Sequence, residues 1–277
     1  MYQLDYSGPA LVMAIINCND DSFYAPSRAS GTAAVKKALQ AEADGAAIID
    51  FGAESSRPGA HYISVEEEME RLIPVIAEFR QHSKVPVSVD TRKAAVAKAA
   101  LESGADIIND ISAGEDDPEM VELCAHYKAG FIVMHKKGNP HTMQDSPHYN
   151  DVLFEVSEYL RSAAARAESA GIPHEHIILD PGIGFGKRTY DNLTLIRNLE
   201  SIRALGYPVL VGLSRKTFIG DITGRSIPDR LSGTLASTAV AMFCGADIIR
   251  VHDVHESVDA AKMIHAFRAV SGNRAES

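Results

Sequence analysis

Short runs of aliphatic and β-branched residues recur along the chain, separated by longer stretches rich in Ala, Glu, Lys and Arg. The runs are Leu11–Cys18, Ala46–Phe51, Val85–Asp90, Asp106–Ile111, Phe131–His135, His176–Asp180, Pro208–Ser214 and Asp247–His252. They are too short and too apolar for amphipathic helices. Near-continuous Val, Ile and Leu instead predicts strands buried on both faces, as in a parallel sheet. Helices are predicted over Thr32–Asp44, Ser64–Gln81, Lys93–Ser103, Pro118–Lys128, Val152–Ala170, Asp191–Leu205, Pro228–Cys244 and Ser257–Val270. Several end at a glycine that hands over to the next strand (Gly45, Gly104, Gly130, Gly171, Gly206 and Gly245), the expected helix C-cap. A strand–helix unit repeated eight times without a linker predicts an α/β protein, a (β/α)8 TIM barrel forming a single domain over residues 1–277. An open doubly wound sheet ranks second, because no G-x-G-x-x-G follows the first strand.

Composition narrows the class of function. Uninterrupted apolar runs such as Leu11–Ile16 fall far short of the roughly 20 residues that cross a bilayer, and the N-terminal MYQLDYSGPA lacks the basic region of a secretory signal. The net charge of −10, with no basic block, argues against nucleic-acid binding, which needs clustered Lys and Arg to neutralise phosphates. Cys18, Cys124 and Cys244 are an odd, widely spaced set without a C-x-x-C pair, and read as reduced thiols of a cytoplasmic protein.

In a barrel, chemistry collects at the C-terminal strand ends. The residues there are Asn17, the Glu54–Arg57 loop, Asp90, Asn109, His135, Asp180, Ser214–Lys216 and Arg250–His252. Polar residues begin many loops, so any one of them carries little weight. Asp90, Asn109 and Asp180 carry more, because each lies within or closes an otherwise apolar strand. Buried there without a partner, such groups cost stability, so a ligand or a network must satisfy them.

Long segments in order, AIINCNDDSF (14–23), IIDFGAESSRPGA (48–60), VPVSVDTRKA (85–94), GADIINDISAG (104–114), VMHKKGNPHTMQ (133–144), ILDPGIGFGK (178–187), VGLSRKTFIG (211–220) and IIRVHD (248–253), resemble those of the dihydropteroate synthases along nearly the whole chain. The resemblance implies the (β/α)8 fold already inferred. It implies a transferase that joins 6-hydroxymethyl-7,8-dihydropterin pyrophosphate to 4-aminobenzoate, giving 7,8-dihydropteroate and pyrophosphate in folate synthesis. On this resemblance Asp90, Asn109, Met134, Asp180, Phe185, Gly212 and Lys216 bind the pterin, with Asp90, Asp180 and Lys216 the catalytic candidates. Asp180 suits a bidentate grip on the 2-amino group and ring N–H. Lys216 supplies a donor, and a lysine at a helix start is otherwise unfavourable. Asn17, Ser56, Arg57, Arg250 and His252 are expected on the pyrophosphate, with one Mg²⁺ whose protein ligand is Asn17. Phe23, Ser56, Pro58, Ser214 and Arg215 are expected around 4-aminobenzoate, Ser214–Arg215 through the start of the following helix. The displacement is expected to be SN1-like, since the electron-rich pterin spreads positive charge. Sulfonamides, which mimic aminobenzoate, are expected to inhibit, and the family is usually homodimeric through its last helices.

The sequence departs from the family in its first loop, where Asp20 replaces a proline and Ala25 stands where a second acid is usual. Ser56 stands for a usual threonine. Rival readings are a pterin-dependent methyltransferase, which would lack the ESSRPG and SRKTFIG segments, and a barrel that retains pterin without catalysis. A zinc site at His252 and His255 is suggested by spacing alone, without evident further ligands.

Overall fold

A computed structural model describes residues 3–18, 29–54, 62–138 and 147–272. Eight parallel strands alternate with helices: β1 Leu11–Asn17, α1 Ala29–Ala43, β2 Ile48–Gly52, α2 Val65–Arg80, β3 Val87–Asp90, α3 Ala94–Glu102, β4 Ile107–Asp110, α4 Glu119–Tyr127, β5 Gly130–Met134 and α5 Val152–Ser169. The chain continues through β6 Ile177–Asp180, α6 Thr189–Arg197, α7 Leu199–Arg203, β7 Leu210–Gly212, α8 Thr217–Thr223, α9 Leu231–Phe243, β8 Ile248–Val251 and α10 Val254–Gly272. The sheet runs β6-β5-β4-β3-β2-β1-β8-β7, and β6 meets β7 through one parallel bridge, Leu179 to Val209. Across this seam the Leu179 N–H donates to the Pro208 carbonyl at 2.9 Å. Proline has no N–H to return, and the sheet all but closes into the expected barrel.

The apolar strands are explained by two hydrophobic clusters, one on each side of the barrel wall. Val12, Ala14, Ile49, Phe51, Val87, Val89, Ile108, Phe131, Val133, Leu179, Val211 and Ile249 face outward into the large cluster shared with the helices. Met13, Ile48, Ile107, Ile132, Ile178, Leu210 and Ile248 form a smaller cluster inside the barrel. Side chains alternate along a strand, so the inner cluster fixes which residues point inward further along: Asp50, Asp90, Asn109, Met134, Asp180, Gly212 and Arg250. The inside is therefore apolar at its base and polar at its C-terminal mouth. That is the placement a barrel site requires.

Several element boundaries differ from the expected ones, each for a local reason. The helix expected over Asp191–Leu205 divides at Asn198, whose side-chain amide donates to the Thr194 carbonyl at 2.8 Å and competes with the helix ladder. The helix expected from Pro228 starts at Leu231, after a 3₁₀ turn over Ile227–Asp229. The helix expected to start at Ser214–Arg215 is the short α8, which begins at Thr217. Gly130 does not cap α4; it opens β5, and Lys128 takes the left-handed cap with φ 53°. Cys18, Cys124 and Cys244 are free thiols. No helix of the described residues is long and apolar enough to cross a membrane.

Candidate active site

Arg250 occupies the centre of the mouth. From β8 its Nε donates to Asp50 Oδ2 at 2.6 Å, and its Nη2 donates to Asp90 Oδ2 at 2.8 Å. Asn109 Nδ2 approaches the same Asp50 oxygen at 3.5 Å. Two carboxylates and one guanidinium thus share a largely buried space. Burial pushes the Asp90 carboxyl up to about 7; Arg250 works against that rise, and the negative charge of Asp50 adds to it. Arg250 itself is held cationic by Asp50 and Asp90 against the cost of its burial.

On the far side, Asp180 ends β6 beside Met134 of β5 and accepts the Gly182 N–H at 2.7 Å. Burial raises its pKa, while Lys216 and the Gly182 N–H oppose the rise. Lys216 follows β7, donates to the Ile183 carbonyl, and lies 4.6 Å from the centre of the Phe185 ring. Burial brings its ammonium down to about 8, with Asp180 pulling the other way and Arg250 adding to the fall. Gly212 completes this wall: a Cβ there would lie 3.9 Å from both Lys216 Nζ and Arg250 Cβ. Asp90, Asn109, Met134, Asp180, Phe185, Gly212, Lys216 and Arg250, drawn from six strands and the loops after β6 and β7, therefore converge on one mouth.

The loop after β6 is held rigid from beneath. Lys187 is buried, and its Nζ reaches His135 Nδ1 at 2.9 Å and the carbonyls of Gly182, Phe185 and His135 at 2.9, 3.1 and 3.2 Å. Burial lowers Lys187 well below the usual lysine range and brings His135 down to about 2, so the imidazole is neutral and accepts from the amine. His135 is thus a strut between two loops. Gly182 takes φ 65°, and a Cβ there would lie 1.9 Å from the His135 carbonyl oxygen. Around the rim, Glu54 pairs with Arg92 and, at 2.7 Å, with Lys93, while Asp116 joins Arg92 and Lys136 at 2.9 Å each.

Other expected residues are placed as follows. Asn17 is exposed at the end of β1, beside Gly52. His252 is exposed, with its Nδ1 2.8 Å from Ser214 Oγ. Arg215 is not a free cation at a helix start. Its guanidinium pairs with Asp253 at 2.7 Å, its N–H donates to Thr234 Oγ1 at 3.0 Å, and the seven-residue α8 begins two positions later, at Thr217. Phe23, Ser56, Arg57 and Pro58 lie outside the described residues, as do Asp20 and Ala25. His176 ends the 3₁₀ turn His174–His176 that leads into β6, and it is buried. Asp50 and Lys187 were missed as site residues. The sign of Asp50 was available, since it interrupts an apolar strand two positions after Ile48. Nothing local marked Lys187 as buried.

A parallel barrel whose mouth brings together three acids, an amide and two cations defines a class: enzymes that bind a flat, hydrogen-bonding heterocycle at the C-terminal strand ends. The family model for the pterin binding enzymes matches residues 13–252. The chain is 43% identical over 272 residues to the dihydropteroate synthase of Escherichia coli, covering 98% of this chain and 96% of that one. In structure it resembles the Yersinia pestis dihydropteroate synthase in complex with a sulfonamide drug, with TM-score 0.91, 37% identity and 97% of each chain covered. It also resembles the Xanthomonas albilineans dihydropteroate synthase with 4-aminobenzoic acid, with TM-score 0.89, 41% identity, and 96% of this chain and 95% of that one covered. The chain belongs to the pterin binding enzyme family and, within it, to the dihydropteroate synthases, which are transferases.

Proposed function

We propose that the mouth of this barrel condenses 6-hydroxymethyl-7,8-dihydropterin pyrophosphate with 4-aminobenzoate, with the roles divided among the converging side chains. The observation that carries the assignment is the inward arrangement of Asp90, Asn109 and Asp180 around Arg250 and Lys216. Asp180 accepts from the pterin 2-amino group and ring N–H, Asp90 and Asn109 meet the remaining ring edge, and Lys216 donates to the acceptor side. Met134 and Phe185 pack against the ring.

The aminobenzoate nitrogen carries its lone pair at neutral pH and needs no base before attack. The barrier lies in breaking the C–O bond to pyrophosphate. Arg250, with Asn17, Ser56, Arg57 and His252, stabilises the leaving oxygens, while Asp90 and Asp180 favour positive charge on the pterin methylene. The C–O bond therefore breaks ahead of N–C bond formation, and the amine then loses its proton to water. Asn17 offers a neutral oxygen at the open end of β1, which fits a Mg²⁺ held mainly by the substrate. Such an ion supplies charge neutralisation to the diphosphate. Ser214, with Phe23, Ser56 and Pro58, surrounds the aminobenzoate. Arg215 acts there through its ion pair with Asp253, as a support for the loop that carries Ser214.

Sulfonamides compete with aminobenzoate in this reading, which the Yersinia complex supports. Exposed Val240 and Phe243 of α9 and Met263 and Phe267 of α10 support a homodimer through the last helices. The test is pyrophosphate release from the dihydropterin substrate, measured with and without 4-aminobenzoate. Strict dependence on aminobenzoate is expected. Pterin binding without release would instead indicate a passive barrel, and methyl transfer from a pterin would indicate the methyltransferase.

A further inference from the structure

Asp50 has no part in the ligand contacts above, although it sits among them. It is fully buried in the middle of β2, one inward position below Gly52. Its Oδ2 takes the Nε–Nη2 edge of Arg250, each nitrogen at 2.6 Å, while its Oδ1 has no hydrogen-bond partner among the described residues. A buried carboxylate with one bare oxygen costs stability, and an aliphatic side chain would fill the position at lower cost. Stability alone does not explain an acid there.

The geometry around Arg250 does. Its Nη2 lies 2.6 Å from Asp50 Oδ2 and donates to Asp90 Oδ2 at 2.8 Å. A guanidinium is a rigid planar fork, so fixing one edge fixes the direction of the rest. If Asp90 turns to the pterin ring, the Nε–Nη2 edge keeps its seat on Asp50.

We propose that Asp50 is a positioning residue: it anchors Arg250 by one edge so that Asp90 can exchange the guanidinium for the pterin ring while the Nη1 edge stays aimed at the diphosphate. This rests on the assignment of Asp90 to the ring and Arg250 to the diphosphate. An electrostatic consequence accompanies it. Asp90 is faced by Arg250 from β8, Asp50 from β2, Glu68 from α2 and Asp110 from β4. Arg250 favours its carboxylate form and the three acids oppose it, so loss of the Asp50 charge moves Asp90 titration to lower pH.

The test is a double-mutant cycle in the full chain. Asp50→Asn is made alone and in an Arg250→Lys background, and pyrophosphate release is followed against both substrates and pH. Asp50→Asn is expected to raise the KM for the dihydropterin substrate about tenfold and to leave that for aminobenzoate within about twofold. The acid limb of kcat/KM moves to lower pH. In the Arg250→Lys background, where the planar edge is gone, the effect of Asp50→Asn shrinks to about twofold or less. Equal losses in both backgrounds with an unmoved acid limb would show that Asp50 only supports packing, and would overturn the proposal. Should Asp50→Asn fail to fold, Asp50→Ser carries the same cycle. If Asp90→Asn and Arg250→Lys weaken dihydropterin binding while Asp50→Asn is silent, this inference alone fails. If those two variants keep the wild-type KM, the underlying assignment fails.

Discussion

Replacing Gly182 by alanine tests whether the loop after β6 is locked to the loop after β5. Gly182 has φ 65°, a conformation that costs a non-glycine residue about 1–2 kcal/mol. Its new methyl group would also lie 1.9 Å from the His135 carbonyl oxygen and 3.2 Å from Met134 Cγ. The first neighbour is backbone and cannot swing aside, so the loops must part, at an overpacking cost of about 1–3 kcal/mol. Together these give about 2–5 kcal/mol, or a fall in Tm of about 5–15 °C for a chain of this size. The same movement draws the Gly182 N–H away from Asp180, now 2.7 Å apart, and loosens the carboxylate that grips the ring. Gly224→Ala is the control, because Gly224 has φ 69° with no atom within 4 Å of its would-be Cβ and so pays the backbone cost alone. Thermal unfolding and the KM for the dihydropterin substrate are measured for both. Gly182→Ala should unfold several degrees below Gly224→Ala and bind the dihydropterin more weakly. Equal melting temperatures, with KM unchanged, would refute the argument.

Two further predictions concern charge. Asp90, pushed up to about 7, must be ionised to accept from the ring, and Lys216, brought down to about 8, must be protonated to donate. The kcat/KM for the dihydropterin substrate should therefore rise with pH towards 7 and fall above 8, and a plateau from about pH 5 to pH 9 would contradict the assignment. Lys187→Met should destabilise the fold by about 3 kcal/mol, since it strips a buried donor from three carbonyls and an imidazole. A denaturation midpoint equal to that of the wild type would show that the donor is dispensable.

The barrel was legible because it is a local code repeated. Aliphatic runs of strand length, each followed by a helical stretch, leave few folds that bury every strand on both faces. Asp90, Asn109 and Asp180 were legible for the same reason: a polar side chain in an apolar strand is conspicuous, and parity sends it inward. Met134, Phe185, Gly212 and the two cations, by contrast, were assigned from resemblance, and the structure brings them to the same mouth.

What the tertiary structure decided is which of these groups meet. Arg250 and Asp50 lie 200 positions apart and are joined because β8 and β2 flank β1 in the closed wall. No periodicity reports such a pairing. Lys187 reads as an ordinary loop residue, and His135 as one strand-end candidate among several, until packing of one loop on another excludes water from both. Arg215 looked like a cation waiting for a carboxylate until Asp253 was found beside it. Along the chain, the sequence determines the direction of each side chain through the geometry of the strand. The partner of a charge, and hence its titration and its role, is set only when strands distant in sequence close into one wall, because electrostatic energy depends on separation in space and on the loss of water around the pair.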